Sequence, residues 1–484
     1  MRRFYPLLRV FGALLTGFSL CLAVPMGLSW YVGDGAHGAF DETFVLALLC
    51  GLALFFGLYR EKREMKVRDG FLLVVLLWTV LPLFACLPFI LHLDMSFTDA
   101  YFEAASGLTA TGATVISGLD HLPLSINFWR TFMHWIGGMG IVVLAVAILP
   151  MLGIGGRQMF KAEIPGPMKE ASLTPRIAET AKGLWKVYLL LTVACGLSLW
   201  HFGMEPWDAL MHAFSTMGLG GFSTKDASLG HYASLEIELA VMFFALLSGL
   251  NYATHFLALH GRSLAPYRND PEAPYFLGVL AVSILALAIY LMALGVFGDF
   301  GAALRYVAFH SISLSTSLGL ATTDYGQWPL FAQLWMLFLG SFVACSGSTG
   351  GGMKMIRAMI LYKQVYRELV RAMHPNALWP VRIRGMAVPP QVLTAILAFG
   401  FAYMCIVVVL TLLMSASGLD IVTAFSAVVA SFNNTGPGLN LVGPSTTYAV
   451  LSDFQTWLCV LAMLLGRLEI FTLLVVLTPA FWRK

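Results

Sequence analysis

Ten apolar runs, roughly at 8–31, 43–59, 70–93, 128–152, 184–203, 233–259, 275–297, 329–360, 390–416 and 448–478, constrain this chain more than any other feature. A helix needs roughly 20 mostly apolar residues to cross a bilayer, so the runs predict ten membrane spans. In hydrocarbon the backbone must satisfy its own hydrogen bonds, and runs of this length do so as helices. Charged residues are only 11% of the chain, against about 25% in average globular domains, which excludes a soluble fold. The first run is too long for a signal-peptide core and lacks a small-x-small cleavage site, so it also reads as a span. Seven cysteines (Cys21, Cys50, Cys86, Cys195, Cys345, Cys405, Cys459) lie in or beside these runs without CxxC or Cys/His spacing. They are expected as small buried hydrophobes.

Lysine and arginine accumulate on the cytoplasmic side of membrane proteins. Here 25 of 29 fall at the termini and in alternate links: Arg2 to Arg9, Arg60 to Arg68, Arg157 to Lys186, Arg262 and Arg268, Lys354 to Arg384, and Arg483 with Lys484. The opposite connections hold only Arg130, Lys225 and Arg305, and Arg467 falls inside the last run. Both termini are therefore expected in the cytoplasm.

The connections after spans three, five, seven and nine are long, yet nearly uncharged and half apolar. A solvated loop should be polar, so these read as segments that dip back into the membrane, where irregular backbone is tolerated only if buried or lining a water-filled path. They align on one glycine each: DAYFEAASGLTATGAT on Gly112, DALMHAFSTMGLGGFS on Gly221, YVAFHSISLSTSLGLA on Gly319 and TAFSAVVASFNNTGPG on Gly436. Ser106, Ser215 and Ser313 stand six residues before the glycine; Phe102, Met211 and Phe309 stand ten before. The unit is helix, short re-entrant helix, polar turn, helix, and it occurs four times. Each unit leaves and returns to the same side, so the repeats are parallel. The expected fold is an all-α integral membrane protein with four helix–pore loop–helix repeats (69–183, 184–272, 273–385, 386–484) in a pseudo-fourfold ring. Two extra N-terminal transmembrane helices (1–68) stand outside the repeat.

Such a ring suits cation coordination. Each short helix would point its C-terminal carbonyls, about half a negative charge, at the axis. The turn that follows would offer carbonyl oxygens in place of a hydration shell. TATGA, LGGFS, SLGLA and NTGPG carry no acidic side chain, which favours a monovalent cation over a divalent one.

At this point the chain resembles the Trk/Ktr/HKT superfamily of potassium transporters, closest to its bacterial TrkH/TrkG branch of potassium uptake membrane subunits. The resemblance rests on HWIGGMGIVVLAVAILP (134–150), STMGLGGFSTKDAS (215–228), LATTDYGQWP (320–329), SGSTGGGMKMIR (346–357), NNTGPGL (433–439) and MLLGRLEIFT (463–472), with the two extra N-terminal spans. It implies a narrow potassium filter whose carbonyls belong to Thr111 and Gly112, Gly220 and Gly221, Leu318 and Gly319, and Thr435 and Gly436. In plant relatives serine at the first glycine goes with sodium, so Gly112 argues for potassium. The second turn departs from the family pattern at STMGLGG, which bears on the pore wall near Met217.

The stretch CSGSTGGGMK (345–354) looks like a phosphate cradle, but a Walker loop needs Gly-Lys-Ser/Thr between a strand and a helix. Here Met353 separates the last glycine from Lys354, and both flanks are apolar. Three consecutive glycines disfavour helix by about 1 kcal/mol each relative to alanine, so Ser346, Gly347, Ser348, Thr349, Gly350, Gly351 and Gly352 are expected to interrupt span eight. The resemblance makes them an intramembrane gate loop below the filter. Arg467, costly at mid-membrane, needs a partner: Glu469 or carbonyls of that loop. The resemblance favours the loop and makes Arg467 its latch. Asp99, Asp208 and Asp420 are expected to cap the short helices, and Glu103, His212 and His310 to make buried hydrogen bonds. His255 and His260 lack metal-ligand spacing.

An enzyme needs converging acid, base or nucleophile groups, and this chain's symmetry falls instead on backbone turns. A potassium-conducting pore or transporter is therefore expected, either passive or coupled to protons or sodium in symport, with potassium as the transported ion, bound as the only metal at the filter, and no covalent cofactor. The resemblance further implies a homodimer in the bacterial inner membrane. It implies cytoplasmic nucleotide-binding regulatory subunits with Rossmann-type domains as partners. The basic links would also attract anionic membrane lipid; no nucleic acid is expected.

Overall fold

The computed structural model describes residues 4–58, 65–143, 173–376 and 378–483. The end of the fourth expected span (144–152) and the basic residues Arg2, Arg3, Arg60, Lys62, Arg63, Arg157, Lys161, Lys169 and Lys484 lie outside the described residues.

The chain opens with α1 (Tyr5–Val32) and α2 (His37–Gly57), an antiparallel pair. They cross where both carry glycine: a Cβ on Gly12 would lie 2.8 Å from the Gly51 carbonyl, and one on Gly51 would lie 2.5 Å from Thr16 Oγ1. Small residues at a crossing let two apolar helices bring their backbones together where lipid offers no hydrophobic drive.

Four units follow. The first comprises α3 (Val67–Ala85) continuing into α4 (Leu87–Leu93), short α5 (Phe97–Leu108) and α6 (Leu124–Val143). The second comprises α7 (Leu173–His201), short α8 (Pro206–Gly218), then α9 (Leu235–Gly249) and α10 (Tyr252–Gly261). The third runs α11 (Ala273–Ala293), short α12 (Phe300–Ser315), α13 (Leu330–Phe342) and α14 (Met355–Met373). The fourth runs α15 (Pro390–Ala416), short α16 (Ile421–Phe432), α17 (Asp453–Arg467) and α18 (Phe471–Leu477). Six helices among the described residues are long and apolar enough to cross a membrane, and two bent pairs qualify together. The expected all-α membrane architecture is what the chain adopts. A two-residue hairpin, β1 (Arg382–Ile383) with β2 (Met386–Ala387), is the one sheet among the described residues.

Three expected spans are not continuous. The sixth breaks after Gly249 and turns by 97° into α10; Asn251 caps the new helix by accepting the Ala253 N–H at 2.8 Å. The tenth breaks after Arg467 and turns by 113°, with Glu469 and Ile470 at φ +52° and +56°. The eighth is non-helical from 343 to 354, a wider gap than its serine- and glycine-rich centre suggested. All three breaks occur in the second helix of a unit.

Capping also differs from expectation. Asp420 does cap its short helix, accepting the Thr423 N–H at 3.0 Å. The cap of α5 is Ser96, whose Oγ accepts the Asp99 N–H at 3.1 Å, and that of α12 is Asp299. Asp208 instead accepts from Thr224 Oγ1 and the Tyr232 hydroxyl, both at 2.8 Å. Its carboxylate folds back onto the segment after the turn, because Pro206 already opens α8.

Candidate filter and gate

The four short helices end in the same way. The N–H of the residue before each aligned glycine donates to the carbonyl five residues back: Thr111 to Ser106 at 2.8 Å, Gly220 to Ser215 at 3.0 Å, Leu318 to Ser313 at 2.7 Å and Thr435 to Ala430 at 2.8 Å. The residue one further back is left-handed in every case: Ala110 (φ +52°), Leu219 (+53°), Ser317 (+68°) and Asn434 (+52°). Each glycine follows at positive φ, from +79° to +93°, a region that side chains other than glycine's disfavour.

These turns converge. A Cβ on Gly112 would lie 1.9 Å from Gly220 O; on Gly221, 2.3 Å from Leu318 O; on Gly319, 2.3 Å from Thr435 O; on Gly436, 2.7 Å from Thr111 O. The contacts run once around and close on the first turn. All four glycines line one cavity of about 250 Å³, shared with Lys225, Asp226 and Tyr448. Thr111, Gly112, Gly220, Gly221, Leu318, Gly319, Thr435 and Gly436 are thus brought to one place. The Gly436 carbonyl accepts the Tyr448 hydroxyl at 2.8 Å, so one of its lone pairs is engaged.

Side chains on the short helices fasten the segment beyond each turn. Nine residues before the glycine, Glu103 accepts the Val115 N–H at 3.1 Å and the Thr114 hydroxyl at 2.9 Å. His212 Nε2 pairs with Ser223 Oγ at 2.9 Å, and His310 Nε2 accepts the Thr322 N–H at 3.3 Å. In the fourth unit Ser426, ten residues before Gly436, accepts the Leu439 N–H at 2.9 Å. The expected buried hydrogen bonds of Glu103, His212 and His310 are therefore formed. Ser215 and Ser313 donate to the carbonyls of Phe222 and Leu320, both at 2.6 Å.

Beneath the turns lies the segment 343–354. Thr349 Oγ1 donates to Met217 O at 3.0 Å, and the Gly351 N–H donates to Ser317 Oγ at 3.1 Å. A Cβ on Gly351 would fall 1.9 Å from Asn433 O. The segment therefore touches the C-terminal ends of three short helices, in the second, third and fourth units. Ser346 to Gly352 stay close to the break in the second unit: the Tyr252 N–H donates to Gly347 O at 3.1 Å and the Cys345 N–H to Gly249 O at 3.1 Å. Ser348 Oγ closes a local turn on Cys345 O at 2.6 Å, Lys354 Nζ bonds Gly350 O, and Gly352 sits at φ +77°.

Arg467 is buried. Its guanidinium donates to Thr349 O at 3.1 Å and to Gly137 O at 2.6 Å, and lies 5.7 Å from the Trp78 ring centroid. Of the two expected partners the loop carbonyl is the one engaged, while Glu469 forms an ion pair with Arg357. Two cations, Lys354 and Arg467, thus bond carbonyls of the loop segment, Gly350 O and Thr349 O.

Four important side chains escape a reading of the sequence. Arg130 and His134, on α6, contact the second turn; Asn434 Nδ2 joins the fourth turn to the first through Thr111 Oγ1 at 2.9 Å. Glu272, just before α11, accepts both the Ser346 N–H at 2.9 Å and the Ile356 N–H at 3.1 Å on one oxygen. Its pKa is pushed up to about 7, chiefly by burial, with the Ser346 N–H opposing and Asp270 adding to the rise. Arg130 and His134 are polar residues inside the fourth apolar run, the signal that could have marked them, while Asn434 and Glu272 lie in connections between runs.

The chain matches the TrkH family model, described as cation transport protein, over residues 36–484. It is 46% identical to the Trk system potassium uptake protein TrkH of Vibrio parahaemolyticus, over all of both chains. It is 45% identical to that of Escherichia coli K12, covering 99% of this chain and 100% of the other, and 35% identical to the TrkG protein of the same organism, covering 98% and 97%. The crystal structure of the potassium transporter TrkH from Vibrio parahaemolyticus superposes with a TM-score of 0.90 at 44% identity, covering 99% of this chain and 100% of that one. With a match of this length and a fold of four converging turns, the chain belongs to the TrkH family of cation transport proteins.

Proposed function

We propose that this membrane protein takes up potassium through the ring of four turns, and that residues 346–352 form the gate beneath it. The observation that carries the reading is the closed sequence of contacts in which each filter glycine meets the carbonyl of the next turn. Carbonyls of Thr111, Gly112, Gly220, Gly221, Leu318, Gly319, Thr435 and Gly436 replace water around a dehydrated ion. The loop occludes the path below, and Arg467 latches it while opposing cation passage electrostatically. The repeat boundaries proposed are 69–183, 184–272, 273–385 and 386–484, with 1–68 outside them. The distribution of lysine and arginine supports cytoplasmic termini in a bacterial inner membrane. The relatives' designation as parts of a Trk system supports further subunits; we assign these to nucleotide-binding, Rossmann-type regulators on the basic face of a homodimer.

Reconstituted flux of potassium and sodium tests the reading. Wild type should pass potassium in preference to sodium, and a deletion within 346–352 should raise basal flux. Equal flux of the two ions in wild type would refute the filter, and an unaltered basal rate in the deletion would refute the gate.

A further inference from the structure

We propose that Arg130, held by Glu103, is a positioning residue that sets the spacing of the first and second filter turns and thereby the preference for potassium. The proposal rests on the filter reading above. Both side chains are fully buried, and the Nε of Arg130 donates to Glu103 Oε1 at 2.8 Å. The pair is neutral as a unit, so the guanidinium does not oppose a cation as a lone buried charge would.

The remaining donors of Arg130 reach two different turns. Nη2 donates to Thr114 Oγ1 at 3.1 Å, two residues beyond Gly112. Nη1 donates to Ser223 O at 3.2 Å, two residues beyond Gly221, and to Asn127 Oδ1 at 3.2 Å. The guanidinium carbon lies 4.3 Å from the centre of the Phe222 ring. His134, one helical turn along α6, stacks on the same ring at 4.1 Å, and its Nδ1 accepts the Phe222 N–H at 3.4 Å. One helix thus presents two groups that grip the residue following the second filter glycine, and one of them also holds the first turn.

This seam differs from two of the others. The second and third turns are joined by neutral groups: the Ala321 N–H donates to Ser228 Oγ at 3.2 Å and the Gly230 N–H to Ala321 O at 3.3 Å. The fourth and first are joined by Asn434 to Thr111 and by the Tyr448 N–H to Thr114 O at 2.8 Å. The charged clamp stands at the first and second turns, where the ring is tightest, with the Cβ position of Gly112 only 1.9 Å from Gly220 O. A planar guanidinium can hold two turns at a fixed separation; a lysine ammonium keeps the charge but presents no such fork.

The test is the ratio of potassium to sodium flux in liposomes for wild type, Arg130→Lys and Phe222→Leu, with Arg305→Lys as control. Arg305 pairs with Glu238 at 2.7 Å, and among the described residues its side-chain hydrogen bonds go to Glu238. Phe222→Leu removes the gripped ring without unpairing a buried charge. Both seam variants should lower the ratio about tenfold while potassium flux stays within about threefold of wild type, a differential effect on the two ions; the control should keep the wild-type ratio. Parallel loss of both fluxes, an unchanged ratio in either assembled seam variant, or failure of Phe222→Leu to assemble would assign the cluster to the fold alone and overturn the proposal. A wild type without potassium preference would instead overturn the filter reading itself.

Discussion

Substituting alanine for each filter glycine in turn should produce a graded loss of potassium preference, ordered by how closely the neighbouring carbonyl approaches. At Gly112 the new methyl would lie 1.9 Å from Gly220 O, whereas real Cβ contacts stay beyond 3.0 Å, so the two turns must separate by about 1.1 Å. At Gly221 and Gly319 the starting distance is 2.3 Å, and at Gly436 it is 2.7 Å, so the displacements shrink to about 0.7 and 0.3 Å. The positive φ imposes a further strain of about 1–3 kcal/mol at every one of the four positions, and a common strain cannot produce a gradient. If the displacement at Gly112 changes the relative fit of the two ions by roughly 1.4–2.8 kcal/mol, the ratio falls by roughly ten- to a hundredfold. Flux of both ions from one batch of liposomes gives the ratio directly, and thermal melting in detergent shows whether each variant is assembled. The reasoning fails if Gly436→Ala harms selectivity as much as Gly112→Ala, or if Gly112→Ala assembles and keeps the wild-type ratio.

Arg467→Gln should raise basal potassium flux about tenfold or more, since hydrogen bonds to a charged group contribute about 1.5–3 kcal/mol and the bonds to Thr349 O and Gly137 O would be weakened; wild-type basal flux would contradict the latch. Gly351→Ala cannot seat against Asn433 O, so it should raise total flux without changing the ion ratio, and a changed ratio would place the loop in the filter. Glu272, with its pKa raised from 4.5 to about 7, favours the folded state when neutral. That contribution is fully present below about pH 4.5 and is lost as pH rises through about 7. Glu272→Gln should therefore flatten the dependence of Tm on pH, its advantage over wild type growing between pH 5 and 8; parallel profiles would count against the assignment.

The spans and the fourfold unit were legible because they depend on sums and periods. Hydropathy over twenty residues survives local irregularity, and one glycine at the same register in four segments reports a backbone requirement that side chains cannot meet. The breaks after Gly249 and Arg467 were not legible, because neither neighbourhood carries a proline or a run of glycines. They arise from partners remote in sequence. Gly249 O receives the Cys345 N–H, and the Tyr252 N–H goes to Gly347 O, so the helix of the second unit opens where the loop of the third supplies replacement bonds. Arg130 was counted with the connections, yet it is buried against Glu103, 27 residues away in sequence. Spacing within one element does not register such a pair. The potassium-binding and gating roles were read from the family resemblance, while the structure adds the order in which the turns touch.

The proposed gate loop is pinned at both ends by one acidic side chain. Its two ends share a single carboxylate oxygen of Glu272, while Thr349 and Gly351 reach across to helix ends of the second and third units. If the loop gates as proposed, a strap pinned this way would swing as a flap, not an iris, with the least motion expected at Cys345 and Met355 and the most at Thr349 to Gly351, opening on the side of Gly137, which Arg467 bridges to Thr349.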